Sequence, residues 1–142
     1  MQLSLKTDYA LRMLMALAAE EGLLSIDAIA DRYAISRNHL AKVAQHLHAA
    51  GFLDTVRGRN GGLMLARSPE AINVGAVVRE LEQMDGFVAC MGGSAQCAID
   101  GLCGLKPALG GALEAFLAHL DGFTLADITS NRSALIKRLA AA

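Results

Sequence analysis

Hydrophobic and polar residues follow one another along this chain with the spacing of amphipathic helices. Near the amino end, Leu11, Leu14 and Met15 recur three and four positions apart, which predicts a first helix from a Thr7 cap to about Glu20. The same pattern and its capping residues predict further helices after Ser25, from Ser36 to about Ala50, from Asn73 to about Met84, from Pro107 to about Asp121 and across 132–139, with a short capped turn at Thr124. The pattern therefore predicts a mainly helical fold.

One segment departs from the helical pattern. Residues 52–56 and 63–67 read as short strands, and the sequence Arg-Gly-Arg-Asn-Gly-Gly at 57–62 separates them. Glycine and asparagine suit the positive φ angles of a hairpin turn. This hairpin directly follows two short helices that are separated by a tight break at Ala34 and Ile35. The order predicts a winged helix-turn-helix, a DNA-binding fold.

The polar side chains of this region are the expected DNA contacts. Long polar side chains on a helix read base edges in the major groove, and arginine at a hairpin tip reaches phosphates or the minor groove. The residues expected to do so are Ser36, Arg37, Asn38, His39, Lys42 and Gln45 on the third helix, and Arg57, Arg59 and Asn60 on the hairpin. The alternative is a helical pair with a solvated face and a hairpin whose arginines only keep it soluble.

The charge distribution supports DNA over that alternative. The chain of 142 residues has a formal net charge of −1, which alone gives no preference for nucleic acid. Between Arg32 and Arg67, however, the acidic residues are reduced to Asp54 while arginines and lysines recur. A near-neutral protein with one basic segment can bind a phosphate backbone locally.

The helix predicted from Pro107 to about Asp121 is apolar on almost every side. Leucine and phenylalanine form one stripe, and alanines make up much of the remainder. A helix of this kind must be covered on both sides. A chain this short is expected to cover one side of the helix itself, so the second side is expected to pack against another copy of the chain. Such a homodimer would match a palindromic double-stranded DNA site. The alternative is a core helix within one monomer.

Three cysteines, Cys90, Cys97 and Cys103, lie close together among glycines and small residues, and the chain has no others. An odd number cannot pair fully in disulfides. Soft thiolates in such a segment favour an iron–sulfur cluster. A cubane cluster and zinc each usually take four ligands, and the segment supplies three cysteines, so redox-active thiols and zinc remain as alternatives. The cysteines therefore predict a sensor attached to the DNA-binding region.

Other classes fit less well. The chain has no apolar run long enough to span a bilayer, and charged residues interrupt the short apolar stretch near its start, so we expect no membrane association and a reducing cytoplasm. We expect no enzyme, because neither a nucleophile with a base nor a phosphate-binding loop stands out. An iron–sulfur electron carrier would not need Arg57, Arg59 and a polar third helix.

Several motifs in order give the chain a resemblance over nearly its whole length. They are residues 6–12 (Lys-Thr-Asp-Tyr-Ala-Leu-Arg), Ser36–Leu40 with Lys42, the hairpin at 56–62, the three cysteines and Thr124–Ile128. Together they resemble the family of winged-helix iron–sulfur regulators that includes IscR, RirA and NsrR. The resemblance implies residues 1–84 as the winged helix-turn-helix region, 85–106 as the cluster loop, and 107–142 as a dimerisation helix with a helical tail.

Within that family the chain looks most like the NsrR type, whose members are nitric-oxide-sensing repressors. Lys106 stands where the IscR type has a histidine ligand, and Asp8 matches an aspartate that ligates the partner subunit's cluster in the NsrR type. Arg12 matches the arginine that accompanies this aspartate. The resemblance implies a 4Fe–4S cluster held by Cys90, Cys97, Cys103 and the partner's Asp8, although the ligand count also permits 2Fe–2S.

The resemblance also implies a function. We expect a DNA-binding transcriptional repressor whose operator binding is controlled by an iron–sulfur cluster that senses nitric oxide. The nearest alternative is a regulator of the same family that responds to iron or cluster supply, or to thiol redox state.

Overall fold

Helices make up most of the chain, as the periodicity predicts. The structure is a computed structural model and describes residues 2–20, 22–84, 88, 91 and 97–140. Within these residues the helices are α1 (Leu5–Ala19), α2 (Ile26–Tyr33), α3 (Arg37–Ala49), α4 (Val74–Leu81), α5 (Leu105–Asp121), α6 (Leu125–Ile128) and α7 (Arg132–Ala140). Two strands, β1 (Leu53–Val56) and β2 (Gly62–Leu65), form an antiparallel hairpin, and a short 3₁₀ turn covers Pro69–Ala71. The prediction of a mainly α fold with a hairpin wing is confirmed.

α1 lies at the centre of the hydrophobic core. Its side chains Met13, Leu14 and Leu17 are buried, and the helix packs against α3, α4, α6, α7 and β2. Burying one such side chain stabilises a fold by about 1.5–3 kcal/mol. The apolar face of α1 predicted from the sequence is therefore the surface against which these other elements pack.

The start of α1 differs from the prediction. Ser4, and not Thr7, is the N-cap, and its hydroxyl accepts a hydrogen bond from the backbone N–H of Thr7 at 3.3 Å. Thr7 is fully buried inside the first turn. The backbone N–H of Ser4 also donates to Glu82 Oε1 at 2.8 Å, which ties the beginning of α1 to the residue after α4. Serine and threonine both suit an N-cap, so the sequence allows either residue. Burial of Thr7 within the helix leaves Ser4 as the cap.

The turn between α2 and α3 has the predicted position. The Ser25 hydroxyl caps α2 by accepting a hydrogen bond from Ala28 N at 3.0 Å. Ala34 ends α2 with a left-handed φ of 51°, the one positive φ of a non-glycine residue in the described chain. Ser36 occupies the predicted N-cap of α3, but its side chain makes no capping hydrogen bond. Its hydroxyl is exposed and remains available to another molecule.

The hairpin is shorter than the sequence predicts. Its register pairs Leu53 with Leu65 and Val56 with Gly62, so the turn comprises residues 57–61 and each strand has four residues. A Cβ on Gly61 would lie 2.1 Å from the carbonyl oxygen of Val56, which explains a glycine at this position. Backbone hydrogen bonds of 3.0 and 2.8 Å join Leu24 to Leu63. They join β2, close to the turn of the hairpin, to the segment before α2.

α4 and α5 form a second helical pair. α4 ends at Leu81, earlier than the predicted Met84, and α5 begins at Leu105, so that Pro107 lies in its first turn as expected. Arg79 makes two hydrogen bonds to the carboxylate of Asp121, one of them 2.6 Å from Nη2 to Oδ2. None of the helices in the described ranges is long and apolar enough to cross a membrane.

Candidate nucleic-acid interface and cluster ligands

The predicted DNA-reading side chains of α3 are all exposed. These are Ser36, Arg37, Asn38, His39, Lys42 and Gln45. Two of them already contact neighbouring elements: Arg37 Nε lies 2.9 Å from Asp27 Oδ1 on α2, and the His39 ring stacks on Tyr9 of α1 with centroids 6.3 Å apart. The exposed face of α3 therefore offers amide, imidazole and ammonium groups, which suit base edges and phosphates.

The hairpin tip presents a second set of polar groups. Arg57, Arg59 and Asn60 are exposed, and no ion pair of the described residues engages either arginine. Gly58 gives the turn its positive φ of 120°. Two positive charges at the end of a short hairpin are well placed for a phosphate backbone or a narrow minor groove.

Two histidines attach the end of α3 to its surroundings. His48 Nδ1 lies 2.9 Å from the carbonyl oxygen of Leu53 in β1, and His46 Nε2 lies 3.4 Å from Glu80 Oε1 on α4. α3 is therefore connected to the hairpin on one side and to α4 on the other. A shift of α4 would reach the helix that is expected to read DNA.

Asp8 lies on the exposed side of α1, where it pairs with Arg12. Arg12 Nε is 3.1 Å from Asp8 Oδ1 and 3.0 Å from Oδ2, and both side chains remain partly exposed. The Arg12 guanidinium also lies 5.9 Å from the centre of the Tyr33 ring, a cation–π contact with the end of α2. Burial raises the pKa of Tyr33, partly offset by the positive charges of Arg12 and Arg32. Asp8 is thus connected through Arg12 to the helix-turn-helix.

Two of the three cysteines lie in the described chain. Cys97 is exposed and Cys103 is half-buried, both are free thiols, and Cys90 lies outside the described residues. Between the two, the N–H of Asp100 donates to the Cys97 carbonyl at 3.1 Å and Gly101 has a φ of 81°, which forms a tight turn. Asp100 pairs with Lys106 Nζ at 3.4 Å, so Lys106 has an acidic neighbour in the first turn of α5.

The described donors fit an iron–sulfur cluster in their chemistry. Cys97 and Cys103 offer soft sulfur ligands without a disulfide between them, and Cys103 directly precedes the N-cap of α5, where the helix dipole favours negative charge. Within the described residues of one chain, no three His, Cys, Asp or Glu side chains are grouped to hold a metal. Asp8 therefore does not complete a ligand set with these two cysteines in its own chain.

The sequence missed three contacts at this site. They are the Tyr9–His39 stack, the Asp27–Arg37 pair and the Asp100–Lys106 pair. The last is recognisable as opposite charges near a helix start, but the first two join different helices and depend on how α1, α2 and α3 pack. No local pattern indicates them.

Comparison with known proteins identifies the family. A family model described as Rrf2, an iron-dependent transcriptional regulator, matches residues 3–131. The chain belongs to the Rrf2 family. It is 45% identical over 142 residues to the HTH-type transcriptional regulator NsrR of Bacillus subtilis strain 168, a match that covers 98% of this chain and 97% of the relative. It is 44% identical to NsrR of Bacillus licheniformis, with coverage of 98% and 99%.

Solved structures of Rrf2-type regulators share the fold. IscR of T. potens is similar with a TM-score of 0.75 and 30% identity, covering 92% of this chain and 88% of that one. CymR, the global cysteine regulator of B. subtilis, is similar with a TM-score of 0.74 and 28% identity, covering 92% and 98%. This chain is therefore a DNA-binding transcriptional regulator of the Rrf2 family, similar over nearly its whole length to NsrR proteins, and an iron–sulfur cluster is consistent with that membership.

Proposed function

We propose that this protein is a transcriptional repressor whose affinity for its operator is controlled by nitric oxide through a 4Fe–4S cluster. The ligands would be Cys90, Cys97 and Cys103 of one protomer and Asp8 of the other. The observation that carries the proposal is the position of Asp8: its carboxylate is partly exposed, paired with Arg12, and outside any grouped ligand set among the described residues of its own chain. The NsrR name of the relatives at 44–45% identity supports nitric oxide as the signal.

The DNA-binding part of the proposal rests on exposure and charge. Residues 1–84 would form the winged helix-turn-helix region, with α3 in the major groove and the hairpin tip on the flanking backbone. The nine polar side chains assigned to DNA, which are Ser36, Arg37, Asn38, His39, Lys42, Gln45, Arg57, Arg59 and Asn60, are exposed. Among the described residues, no acidic side chain pairs with the cations of Lys42, Arg57 or Arg59, so phosphates would meet no intramolecular competitor there.

The dimer part of the proposal rests on α5. Of its 17 residues, Leu117 is the one that is buried in the single chain, and Leu105 leaves 63% of its surface exposed. The exposed side carries the small residues Ala108, Gly111, Ala112, Ala115 and Ala118 together with Glu114 and His119. Small residues allow two helix backbones to approach closely. A second copy that packs its own α5 on this side would cover it and place two α3 helices for a palindromic operator.

The chain's own residues would convert cluster state into DNA affinity. A bound cluster supplies the centre that reacts with nitric oxide. While Asp8 is a ligand, α1 of one protomer is fixed to the cysteine segment of the other. The Asp8 carboxylate, a hard donor among soft thiolates, would be the weakest of the four ligands of such a cluster. Asp8 would then keep Arg12 as its partner, and α1, with α3 packed on it and α2 joined to it through the Arg12–Tyr33 contact, would shift relative to the operator.

DNA binding by the anaerobically prepared dimer tests this proposal. A fluorescently labelled palindromic operator is titrated with cluster-loaded protein before and after stoichiometric nitric oxide. We expect at least a tenfold loss of affinity on nitric oxide, about 1.4 kcal/mol, since a useful switch needs differential binding of that size. Unchanged affinity would contradict the proposal.

A matched pair of variants isolates Asp8. Asp8→Ala removes the proposed ligand, and Asp31→Ala removes an exposed aspartate of α2 that lies outside the site. We expect Asp8→Ala to lose its cluster faster and to alter the nitric oxide response, while Asp31→Ala behaves like the wild type. Equal behaviour of the two variants would remove Asp8 from the ligand set.

A second candidate is a regulator of the same family that responds to iron, cluster supply or thiol oxidation. The free thiols of Cys97 and Cys103 favour it, and so does the structural similarity to IscR and to a cysteine regulator. Iron analysis and thiol titration of oxygen-free preparations distinguish the two candidates. Metal-free protein whose DNA binding follows thiol oxidation would favour this second function.

A further inference from the structure

Among the arginines and lysines assigned to DNA, Arg37 is the one that pairs with an acidic side chain of the described chain. It is the first residue of α3, and its Nε lies 2.9 Å from Oδ1 of Asp27 in the first turn of α2. In a helix-turn-helix, the amino-terminal residues of the second helix contact base edges while the first helix crosses the DNA backbone. An acid therefore lies beside the arginine that is best placed to read a base.

The pair between Arg37 and Asp27 contributes little to the stability of the fold. The two side chains are 69% and 60% exposed, and water and salt screen an exposed pair of this kind. On a surface that binds DNA, the Asp27 carboxylate also repels nearby phosphates. An acid in the first turn of α2 is favoured by the helix dipole, but the dipole does not account for its contact with α3.

The contact orients the guanidinium group of Arg37. Arginine carries five N–H donors in a planar, rigid fork. Asp27 approaches this fork from its Nε side, so the end formed by the two Nη groups is directed away from the carboxylate. Bidentate donation from such a fork to O6 and N7 of guanine is the commonest specific contact in the major groove.

The turn between α2 and α3 keeps Asp27 and Arg37 in a fixed relation. The N–H of Ile35 donates to the Ala30 carbonyl at 3.0 Å, and Ala34 takes the left-handed conformation that reverses the chain. Ile29 of α2 and Leu40 of α3 are fully buried in the same core. A side chain held by so rigid a neighbour loses less conformational freedom when it binds a base.

We infer that Asp27 is a positioning residue that presents Arg37 to a guanine of the operator half-site. Asp27 itself does not touch the base. Its charge lowers the affinity for every DNA sequence, while the orientation of Arg37 increases the preference for one of them. The inference rests on the DNA-binding part of the proposed function and is independent of the signal that a cluster would detect.

Binding to single-base operator variants tests the inference. The anaerobically prepared wild-type dimer first selects its half-site from a randomised duplex pool, and each protein variant is then titrated with every single-base change. We expect Arg37→Ala to abolish the preference for guanine at one position and Asp27→Ala to reduce that same preference by about three- to tenfold. The double variant should match Arg37→Ala, because Asp27 acts through Arg37. Asp31→Ala, on the exposed side of the same helix, is the control and should keep the wild-type profile.

The mobility of the Arg37 side chain gives a second readout in DNA-free protein. The ¹⁵N–¹H NOE of an arginine Nε–H group falls as the side chain becomes more mobile on the nanosecond timescale. We expect a higher NOE for Arg37 than for Arg57, an exposed arginine that no ion pair of the described residues engages. Asp27→Ala should lower the Arg37 value to that of Arg57, and Asp31→Ala should leave it unchanged. Equal values for the two arginines in the wild type would overturn the inference.

The outcomes separate this inference from the proposed function. If Asp27→Ala changes the affinity for all sequences by the same factor, Asp27 acts only through its charge and the inference is wrong, while the proposed function stands. Dependence of Asp27 and Arg37 on different base positions would reject it equally. If Arg37→Ala leaves every base preference intact, the inference fails together with the assignment of Arg37 to the bases. Nitric oxide sensing is decided separately, by the response of the wild-type protein.

Discussion

At the scale of single residues, one missing methyl group sets the distance between two helices. A Cβ on Gly75 of α4 would lie 2.1 Å from Asp121 Oδ1 at the end of α5. Real Cβ atoms do not approach oxygen so closely, and the carboxylate is held in place by Arg79. Glycine at this position therefore permits the Arg79–Asp121 pair to form while α4 packs on α5.

Gly75→Ala should destabilise the protein for this reason. We expect a loss of about 1–3 kcal/mol in the free energy of unfolding, the usual cost of forcing extra volume into a packed contact. Urea denaturation followed by circular dichroism measures it. In an Asp121→Ala background the clash with the carboxylate is absent and Arg79 Nη1, 3.0 Å from the added Cβ, is no longer held in place, so the same change should be neutral or stabilising by up to about 1 kcal/mol through helix propensity. An equal cost in both backgrounds would contradict the argument.

Lys42→Ala tests the DNA face one residue at a time. Lys42 is an exposed ammonium on α3, so its loss should weaken binding to all DNA sequences alike and lower the slope of log K against log salt by about 1. Titration of specific and random duplexes at several salt concentrations measures both effects. Lys137→Ala on α7 is the control. A loss confined to one base position would make Lys42 a base-reading residue.

At the scale of elements, the joint between α4 and α5 depends on an ion pair at its edge. The two hydrogen bonds from Arg79 hold the pKa of Asp121 below its ordinary value of 3.8. A carboxyl group whose pKa is lower in the folded state stabilises that state above the unfolded pKa. The stabilisation is lost as the pH falls through the folded value.

Arg79→Gln should therefore lower the Tm by an amount that depends on pH. We expect a constant difference from wild type between about pH 5 and 7, and a difference that shrinks as the pH falls below 3.8 toward the lowered pKa of Asp121 in the wild type. Thermal unfolding across this range measures it. The effect should be modest because both side chains are partly exposed. Arg138→Gln should show no such trend, and a difference that grows in acid would be inconsistent with the pair.

Local signals predicted most of the elements, and tertiary packing decided what they left open. Ser25, Asn73 and the glycine-rich turn marked their elements correctly because a capping hydroxyl or amide and a positive φ are local requirements. Ser4 is the N-cap instead of the predicted Thr7 because Thr7 is buried. The strands pair from Val56–Gly62 onward, so the turn comprises residues 57–61 and the strands are shorter than predicted. Exposure of the DNA-facing residues followed from helical periodicity, but the Tyr9–His39 stack joins two helices.

At the scale of the whole molecule, α5 is the element whose environment a single chain cannot supply. The sequence predicted a helix covered on both sides, and within one chain α5 buries Leu117 while its alanine-rich side stays open. The apolar pattern of α5 predicts that both of its sides are buried, but it does not indicate which surface buries the second side. A second copy supplies that surface under the proposed function.

Ala112→Glu should test the assembly directly. A carboxylate in the middle of the open side of α5 would face its own symmetry mate, and like charges brought together in an apolar contact are strongly unfavourable. We expect sedimentation to show monomers at concentrations where the wild type is dimeric, and operator affinity to fall at least tenfold because two half-sites are no longer bound together. Ala134→Glu on α7 is the control. A dimeric Ala112→Glu protein would assign the contact to another surface.

The hydrogen bond from Ser4 to Glu82 has a practical consequence for handling the protein. Ser4 begins the helix that carries Asp8, and its backbone N–H donates to Glu82 just before the segment that leads to the cysteines. A bulky purification tag fused immediately ahead of Ser4 would crowd this junction and disturb the very helix whose movement is to be measured. Tags are better placed at the carboxyl end, and any amino-terminal tag should be cleaved before spectra or binding curves are recorded.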